Sequence, residues 1–343
     1  MNNTAVIYDP NFLKHNHPGH PESASRLESI LKKLTESGLT DNLIQLKPRP
    51  AILEEIKFCH TEDYVERVRN VCKSEKGFLD PDTYTTGYSY DAAIMAVGSL
   101  IELTNSIING QVKNGFALLR PPGHHALKDR AMGFCIFGNV AIAAKSALKN
   151  NEIKKVAIVD IDVHHGNGTQ ALVKDNQNIM YISTHQFPFY PGTGSITEIG
   201  NGVTAGTLLN VPLIPGVGDD GFRNIYNEII VPSLERYAPN LIFVSAGYDA
   251  HWDDPLASMG LTLTGYSWIS KELVKISDKL CDSKIVFALE GGYNLEALSY
   301  GVINSLNALA GLDETIDPLG RSPYEEPDIT GLIGELKKIH QIT

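Results

Sequence analysis

Two aspartates and two histidines fall within six positions of the segment KKVAIVDIDVHHGNGTQ: Asp160, Asp162, His164 and His165. Carboxylates and imidazoles are the side chains that hold a divalent cation without a thiolate. An extended chain sends residues i, i+2 and i+4 to one face. Asp160, Asp162 and His164 are therefore expected to point together, with Ile161 and Val163 turned to the core. Taken alone, the triplet suits a bland reading equally well, in which Asp160 caps a turn, Asp162 pairs with a lysine and the histidines lie at the surface. The metal reading needs ligands from elsewhere. Three other polar clusters supply candidates: His124 and His125 in RPPGHHA, Asp249 in GYDAHWDDP and Tyr293 in LEGGYN.

Each cluster follows a short apolar run of β type. Candidate strands are 5–8, 116–119, 156–159, 179–183, 241–245 and 285–289, and helical patterns lie between them, which favours a parallel sheet covered by helices on both faces. From Phe222 the positions Ile225, Tyr226, Ile229, Ile230 and Leu234 recur at helical spacing, with Pro232 expected to kink the helix. Thr264 and Asn294 are candidate caps for two later helices. Open α/β sheets collect ligands at the carboxyl ends of their strands, so segments far apart in sequence converge at one edge. No linker or internal repeat divides the chain, and residues 1–343 read as one domain.

Composition sets bounds on function. Hydrophobic residues make up 43% of the 343 and charged residues 20%, the balance of a globular protein. A net charge of -11 argues against nonspecific binding to nucleic acid, where basic groups supply the affinity. No apolar run approaches the roughly 20 residues of a membrane span, and the start MNNTAVIYDP lacks a basic segment followed by an apolar signal core. A cytoplasmic protein without a membrane partner is expected. Cys59, Cys72, Cys135 and Cys281 form no CxxC pair, and read as buried small hydrophobes rather than as a disulfide framework.

The motifs RPPGHHA, GFCIFGN, DIDVHHGNGTQ, YPGTG, GYDAHWDDP and LEGGYN, in this order, resemble the histone deacetylase family. HHGNGTQ and the early HPESASRL resemble its class II-like branch, which includes bacterial histone deacetylase-like amidohydrolases and acetylpolyamine amidohydrolases. The likeness runs from about His20 to Asn294. It implies the arginase/deacetylase fold, an α/β single domain with a mainly parallel eight-stranded sheet flanked by helices. It also implies a zinc-dependent deacetylase that hydrolyses the amide of N-acetyl-lysine or a related acylated amine and releases acetate.

Carried over position by position, the resemblance makes Asp162, His164 and Asp249 the zinc ligands and Tyr293 the donor to the substrate oxygen. His125 becomes the general base and later acid, and His124 an electrostatic partner oriented by Asp160. Asn167 stands where class I members carry a second orienting aspartate, so His125 is expected to be less basic than in those relatives. Phe134 and Tyr190, with Gly133, match the substrate channel, though either ring also reads as ordinary core. A structural potassium is implied at Asp160, Asp162, His164, Ser183 and Thr184. His165 and His185 read as structural histidines, Arg120 as a buried ion-pair partner, and His17, His20 and His251 as rim or surface residues.

Leu256 occupies the position after the DP dipeptide where polyamine-specific relatives carry a glutamate. An apolar gate favours acyl-lysine in a peptide or protein over a small acylated polyamine. Oligomeric state is not legible. Two other classes stay open: an arginase-like binuclear manganese ureohydrolase, and an inactive acyl-lysine binding module. Two manganese ions per chain distinguish the first, and binding without release of acetate the second.

Overall fold

A computed structural model describes residues 3–73 and 76–342. In chain order the strands are β1 (Thr4–Ile7), β2 (Ile44–Leu46), β3 (Lys76–Asp80), β4 (Thr83–Thr86), β5 (Asn114–Ala117), β6 (Val156–Asp160), β7 (Ile179–Gln186), β8 (Leu208–Leu213), β9 (Leu241–Ala246) and β10 (Ile285–Leu289). The α-helices are α1 (Ala24–Glu36), α2 (Leu53–Ile56), α3 (Glu62–Lys73), α4 (Ser89–Ile108), α5 (Asn139–Ala147), α6 (Asn167–Val173), α7 (Asp219–Ile225), α8 (Val231–Tyr237), α9 (Leu263–Leu280), α10 (Leu295–Leu309) and α11 (Thr330–His340).

Eight strands form one sheet in the order β2-β1-β5-β10-β9-β6-β7-β8, and every pairing in it is parallel. The strands β5, β6, β7, β9 and β10 are buried throughout, as strands of a parallel sheet covered on both faces are. Alternation along β5 shows the two layers. A Cβ on Gly115 would meet Leu103 of α4, while the neighbouring Asn114 bonds to the Leu309 carbonyl at the end of α10. Helices α4 and α5 pack together on one side, and α10 with α1 and α9 on the other.

The four strands that precede the polar clusters, β5, β10, β9 and β6, are contiguous in the middle of the sheet. The chain leaves a gap between β5 and β6, and β9 and β10 fill it last. Polar groups from four distant segments are thus brought to one edge.

Several expectations are corrected. The strands end differently from the apolar runs: β5 begins at Asn114 and stops at Ala117, and β7 continues to Gln186, because ladder pairing and not hydrophobicity sets their limits. β2 and β8 had no apolar signal clear enough to announce them. Thr262, not Thr264, caps α9, its side chain accepting from Gly265 N. Asn294 does cap α10, accepting from Glu296 N and Ala297 N. At the Pro232 region, a π-helical turn over Tyr226–Ile230 joins α7 to α8, which moves the irregularity one turn ahead of the proline. Helix α4 is long and apolar enough to cross a membrane, contrary to the reading of the apolar runs, but 72% of its span is buried inside the fold. It packs against the sheet and α5 as a largely buried helix.

Candidate functional site

Strand β6 stops at Asp160, so strand alternation does not align the acidic triplet. Two successive side-chain turns do. Asp160 Oδ1 accepts from Asp162 N at 3.2 Å, and Asp162 Oδ1 accepts from His164 N at 2.9 Å. Short acidic side chains favour such local turns. They leave Ile161 and Val163 in the core, each 1% exposed, and bring the polar residues to the opposite side.

Asp249 arrives from the end of β9. Its Oδ1 accepts from Val163 N at 2.9 Å, while its buried Oδ2 has no hydrogen-bond partner. That oxygen lies 3.3 Å from His164 Nδ1, and Asp162 Oδ1 lies 3.2 Å from the same nitrogen. One ligand atom from each of Asp162, His164 and Asp249 falls within 4.8 Å of the others. Leaving a buried acceptor unpaired costs roughly 1–3 kcal/mol, and more when it is charged. A cation held by the three side chains removes that cost. In their bare form, and against the effect of burial, the two carboxylates hold the His164 imidazole up to about 10; a divalent ion supplies the positive charge they otherwise draw from a proton. The donor set fits such an ion.

The loop after β10 closes over this group. Gly291 N donates to Asp162 Oδ2 at 2.8 Å, and a Cβ at Gly291 would overlap the carboxylates of both Asp162 and Asp249. Only glycine permits the approach. Two residues on, the Tyr293 ring sits between the Arg26 guanidinium at 5.2 Å and the Phe134 ring at 5.9 Å. Among the described residues no group hydrogen-bonds its hydroxyl. Burial, opposed by Arg26 and reinforced by Asp249 and Asp162, keeps that hydroxyl protonated.

The tandem histidines come from the turn after β5. His124 Nδ1 lies 3.2 Å from Asp160 Oδ2, which also accepts from the Tyr181 hydroxyl at 3.0 Å. His125 Nδ1 lies 2.8 Å from Asn167 Oδ1. The two rings are 4.0 Å apart, and their environments drive them in opposite directions. Burial opposes a charge on His124, but the carboxylates of Asp162, Asp160 and Glu290 outweigh it and hold this ring well above the ordinary value. Burial and the charges of His124 and His164 push His125 well below it. Groups driven apart in this way are the mark of divided acid and base roles.

Aromatic rings pack against these histidines. Tyr190, 38% exposed, stands edge-on to His125 at 5.2 Å and to His164 at 6.0 Å. Phe189, which the sequence did not single out, stacks on His164 at 5.6 Å. Gly133, at φ +56, lies so close to His125 that a Cβ would collide with its ring. Phe134 follows at φ 68, held by Thr83 Oγ1, which accepts from its backbone N–H. Asp82 accepts from Gly133 N at 3.1 Å. Leu256 is half-buried in the loop after Asp249, its N–H bonded to Asp254 Oδ1.

Ser183 and Thr184 follow each other on β7, where Ser183 pairs in register with Asp160. His165 and His185 have both ring nitrogens bonded. Arg120 is buried and paired with Glu22, as expected. His20 packs edge-on to Phe134 at 4.7 Å. His251 is not at the rim: it is 1% exposed and accepts from Asp253 N.

Sequence reasoning passed over residues whose work is done on backbone groups. Glu290 is buried, and its Oε2 accepts from Gly123 N and His124 N at 2.7 and 3.2 Å. Burial pushes its carboxyl up to about 7. With Cys135 and His124 it forms a second close triplet, but the His124 ring already faces Asp160 and the Cys135 thiol donates to Gly133 O. Arg26 donates to the carbonyls of Gly292 and Glu290. Asp254 accepts from three backbone N–H groups, and burial and the neighbouring Asp249 push its carboxyl up to about 7. Of the three, only Glu290 directly follows a strand; Arg26 lies in α1 and Asp254 in the loop after β9, where nothing in the sequence marks them.

Residues 20–309 match the profile described as "Histone deacetylase domain". "Histone deacetylase 14, chloroplastic" of Arabidopsis thaliana is 39% identical over 349 residues, covering 96% of this chain and 82% of that protein. A "Probable deacetylase" of Archaeoglobus fulgidus is 39% identical over 314 residues, covering 90% and 87%. Among solved structures, the crystal structure of the HDA15 HD domain superposes with a TM-score of 0.90 at 35% identity, covering 99% of this chain and 95% of that one. With this profile, these relatives and this eight-stranded fold, the chain belongs to the histone deacetylase family and is a hydrolase of the histone deacetylase type.

Proposed function

We propose that the protein is a zinc-dependent deacetylase acting on the amide of N-acetyl-lysine, with a peptide or protein as the carrier. The observation that carries this reading is the convergence of one ligand atom each from Asp162, His164 and the buried Asp249 within 4.8 Å of one another. Ligand bonds of about 2.0–2.1 Å at tetrahedral angles put neighbouring ligand atoms roughly 3.3 Å apart. His164 Nδ1 stands 3.2 and 3.3 Å from the two carboxylate oxygens. Three protein ligands leave room for water and substrate.

When bound, zinc polarises the amide carbonyl and makes water a better nucleophile at neutral pH. Asp162 and Asp249 offset most of the ion's charge, so the carbonyl needs a further donor. Tyr293 supplies it: its protonated hydroxyl hydrogen-bonds the oxygen on which negative charge develops. His125 takes the proton from water. Its Nδ1–H donates to Asn167, which leaves Nε2 with the free lone pair, and its low affinity for protons keeps it a neutral base. The same Nε2 then returns the proton to the departing amine. His124, held positive by Asp160 and Asp162, adds electrostatic stabilisation to the developing anion. Phe134 and Tyr190 flank the acyl-lysine methylenes. A structural monovalent cation on the carbonyls of Asp160, Asp162, His164, Ser183 and Thr184 belongs to the same proposal.

Leu256 carries the substrate choice, because an apolar side chain offers nothing to a second ammonium group. The test compares the zinc-loaded enzyme on acetyl-lysine peptides and N-acetylated polyamines. A higher specificity constant for the polyamines overturns the acyl-lysine reading, and undiminished activity in Asp249→Ala overturns the metal assignment.

A further inference from the structure

Residues 290–294, which carry Tyr293, belong to no helix or strand, so most of their backbone polar groups must find partners outside regular structure. Side chains supply several. Arg26 donates to Glu290 O and Gly292 O, and Asp162 accepts from Gly291 N. The Tyr293 N–H itself goes to Asp254 Oδ2 at 2.7 Å, and the Asn294 N–H to the same oxygen at 3.0 Å. The other oxygen, Oδ1, accepts from Leu256 N at 2.9 Å. Next to it, Asp253 accepts from Asn294 Nδ2 through both its carbonyl and its carboxylate, at 3.0 and 2.9 Å. Asp254 is 6% exposed, so water does not compete effectively for these bonds.

We propose that Asp254 is the positioning residue for Tyr293: its carboxylate fixes the backbone from which the tyrosine hydroxyl reaches the site. The inference rests on the reading of Tyr293 as the donor to the oxyanion. A side chain whose hydroxyl makes no bond of its own is placed only by its packing and by its backbone. Arg26 and Phe134 restrict the ring, and Asp254 restricts the Cα from which it swings. Catalysis is sensitive at this scale, since a misplacement of about 1 Å costs on the order of 10²-fold. The same carboxylate holds the Leu256 backbone, so the channel gate and the tyrosine move as one piece. The number of acceptor atoms matters as well as shape. Two carboxylate oxygens serve three N–H groups, whereas an amide offers one oxygen and turns its NH₂ towards a donor.

The experiment measures kcat and KM on an acetyl-lysine peptide for the zinc-loaded wild type, Asp254→Asn, Tyr293→Phe and the double variant. Asp254→Asn is expected to lower kcat about tenfold or more with KM within about twofold, and to cause no further loss in the Tyr293→Phe background, because neighbouring groups that act through one another are not additive. Equal factors in both backgrounds overturn the proposal while leaving the role of Tyr293 intact. A Tyr293→Phe enzyme of full kcat overturns the oxyanion reading and the positioning role with it. Melting temperature and zinc content are measured for each variant, and if Asp254→Asn does not fold, Asp254→Ser carries the same comparison.

Discussion

Two pairs of buried histidines lie side by side at the edge of this sheet, and they differ in how their nitrogens are used. In the pair His165 and His185, 4.8 Å apart, every ring nitrogen is bonded. His165 meets Thr193 and Gln170, and His185 meets Ser183 Oγ and the Gly194 carbonyl. In the pair His124 and His125, each ring has one bonded nitrogen, to Asp160 and to Asn167. The other nitrogen is left for chemistry. Residue type and burial are nearly the same in the two pairs. The difference is one ring nitrogen without a hydrogen bond: on His125 it leaves a lone pair for the proposed base, and on His124 it faces Asp162 Oδ1 at 3.8 Å.

The strongest test of this contrast is His125→Ala. We expect kcat/KM on an acetyl-lysine peptide to fall by about 10²–10⁴-fold with little change in melting temperature, and a variant that keeps its rate would erase the distinction. His185→Leu should do the reverse. It leaves the Ser183 hydroxyl and the Gly194 carbonyl unpaired, at a cost of roughly 1–3 kcal/mol in stability, while the folded enzyme keeps kcat within a few-fold; denaturant melts and kinetics read both. Asn167 comes next. Asn167→Asp places a negative charge against His125 Nδ1, which raises the affinity of that ring for protons, so the acid limb of the kcat/KM profile should move to higher pH. A limb that stays in place would mean that another group sets it.

The smallest effect concerns stability against pH. Burial pushes His165 down to about 4 and His185 down to about 3, below the ordinary 6.5. Buried His15 and His60 lie at about 3 and about 4 for the same reason. Between pH 6.5 and about 3 the unfolded chain binds protons at these histidines that the folded one refuses, so their contribution to stability falls as pH falls through that window, against the raised carboxyls of Glu290 and Asp254, which act the other way. Melting temperatures at pH 7.5 and 5 read the balance, and His185→Leu should remove its share, so that the variant loses less stability, or gains more, on going to pH 5 than the wild type does. An unchanged slope in that variant would remove His185 from the account.

How far these pairs could be told apart in advance follows from where their partners lie. The chemical residues were legible because their types are costly at strand ends and four such clusters recur. Their order along the sheet was not, since it depends on β9 and β10 entering between β5 and β6. Glu290, Arg26 and Asp254 went unnoticed because they bond to backbone groups of distant loops, and backbone groups leave no pattern in a sequence. His251 was misplaced for a related reason: a polar residue in a polar stretch gives no sign that the loop folds inward. Thr262 and Thr264 are equally good caps on paper, and the carboxylate of Asp219, which accepts from the Thr262 N–H and hydroxyl, helps hold Thr262 in its place.

The central position of β9 and β10 also bears on the order in which the chain is made. Synthesis runs from the N-terminus, so Asp162 and His164 leave the ribosome about 85 residues ahead of Asp249, and Tyr293 follows last of all. Until β9 and β10 enter the middle of the sheet, no ladder of hydrogen bonds joins β5 to β6, and the tandem histidines are not tied through the sheet to Asp162 and His164. An incomplete chain thus carries Asp162, His164 and the tandem histidines without Asp249 or Tyr293, so the candidate site is assembled only when the last strands of the sheet are in place.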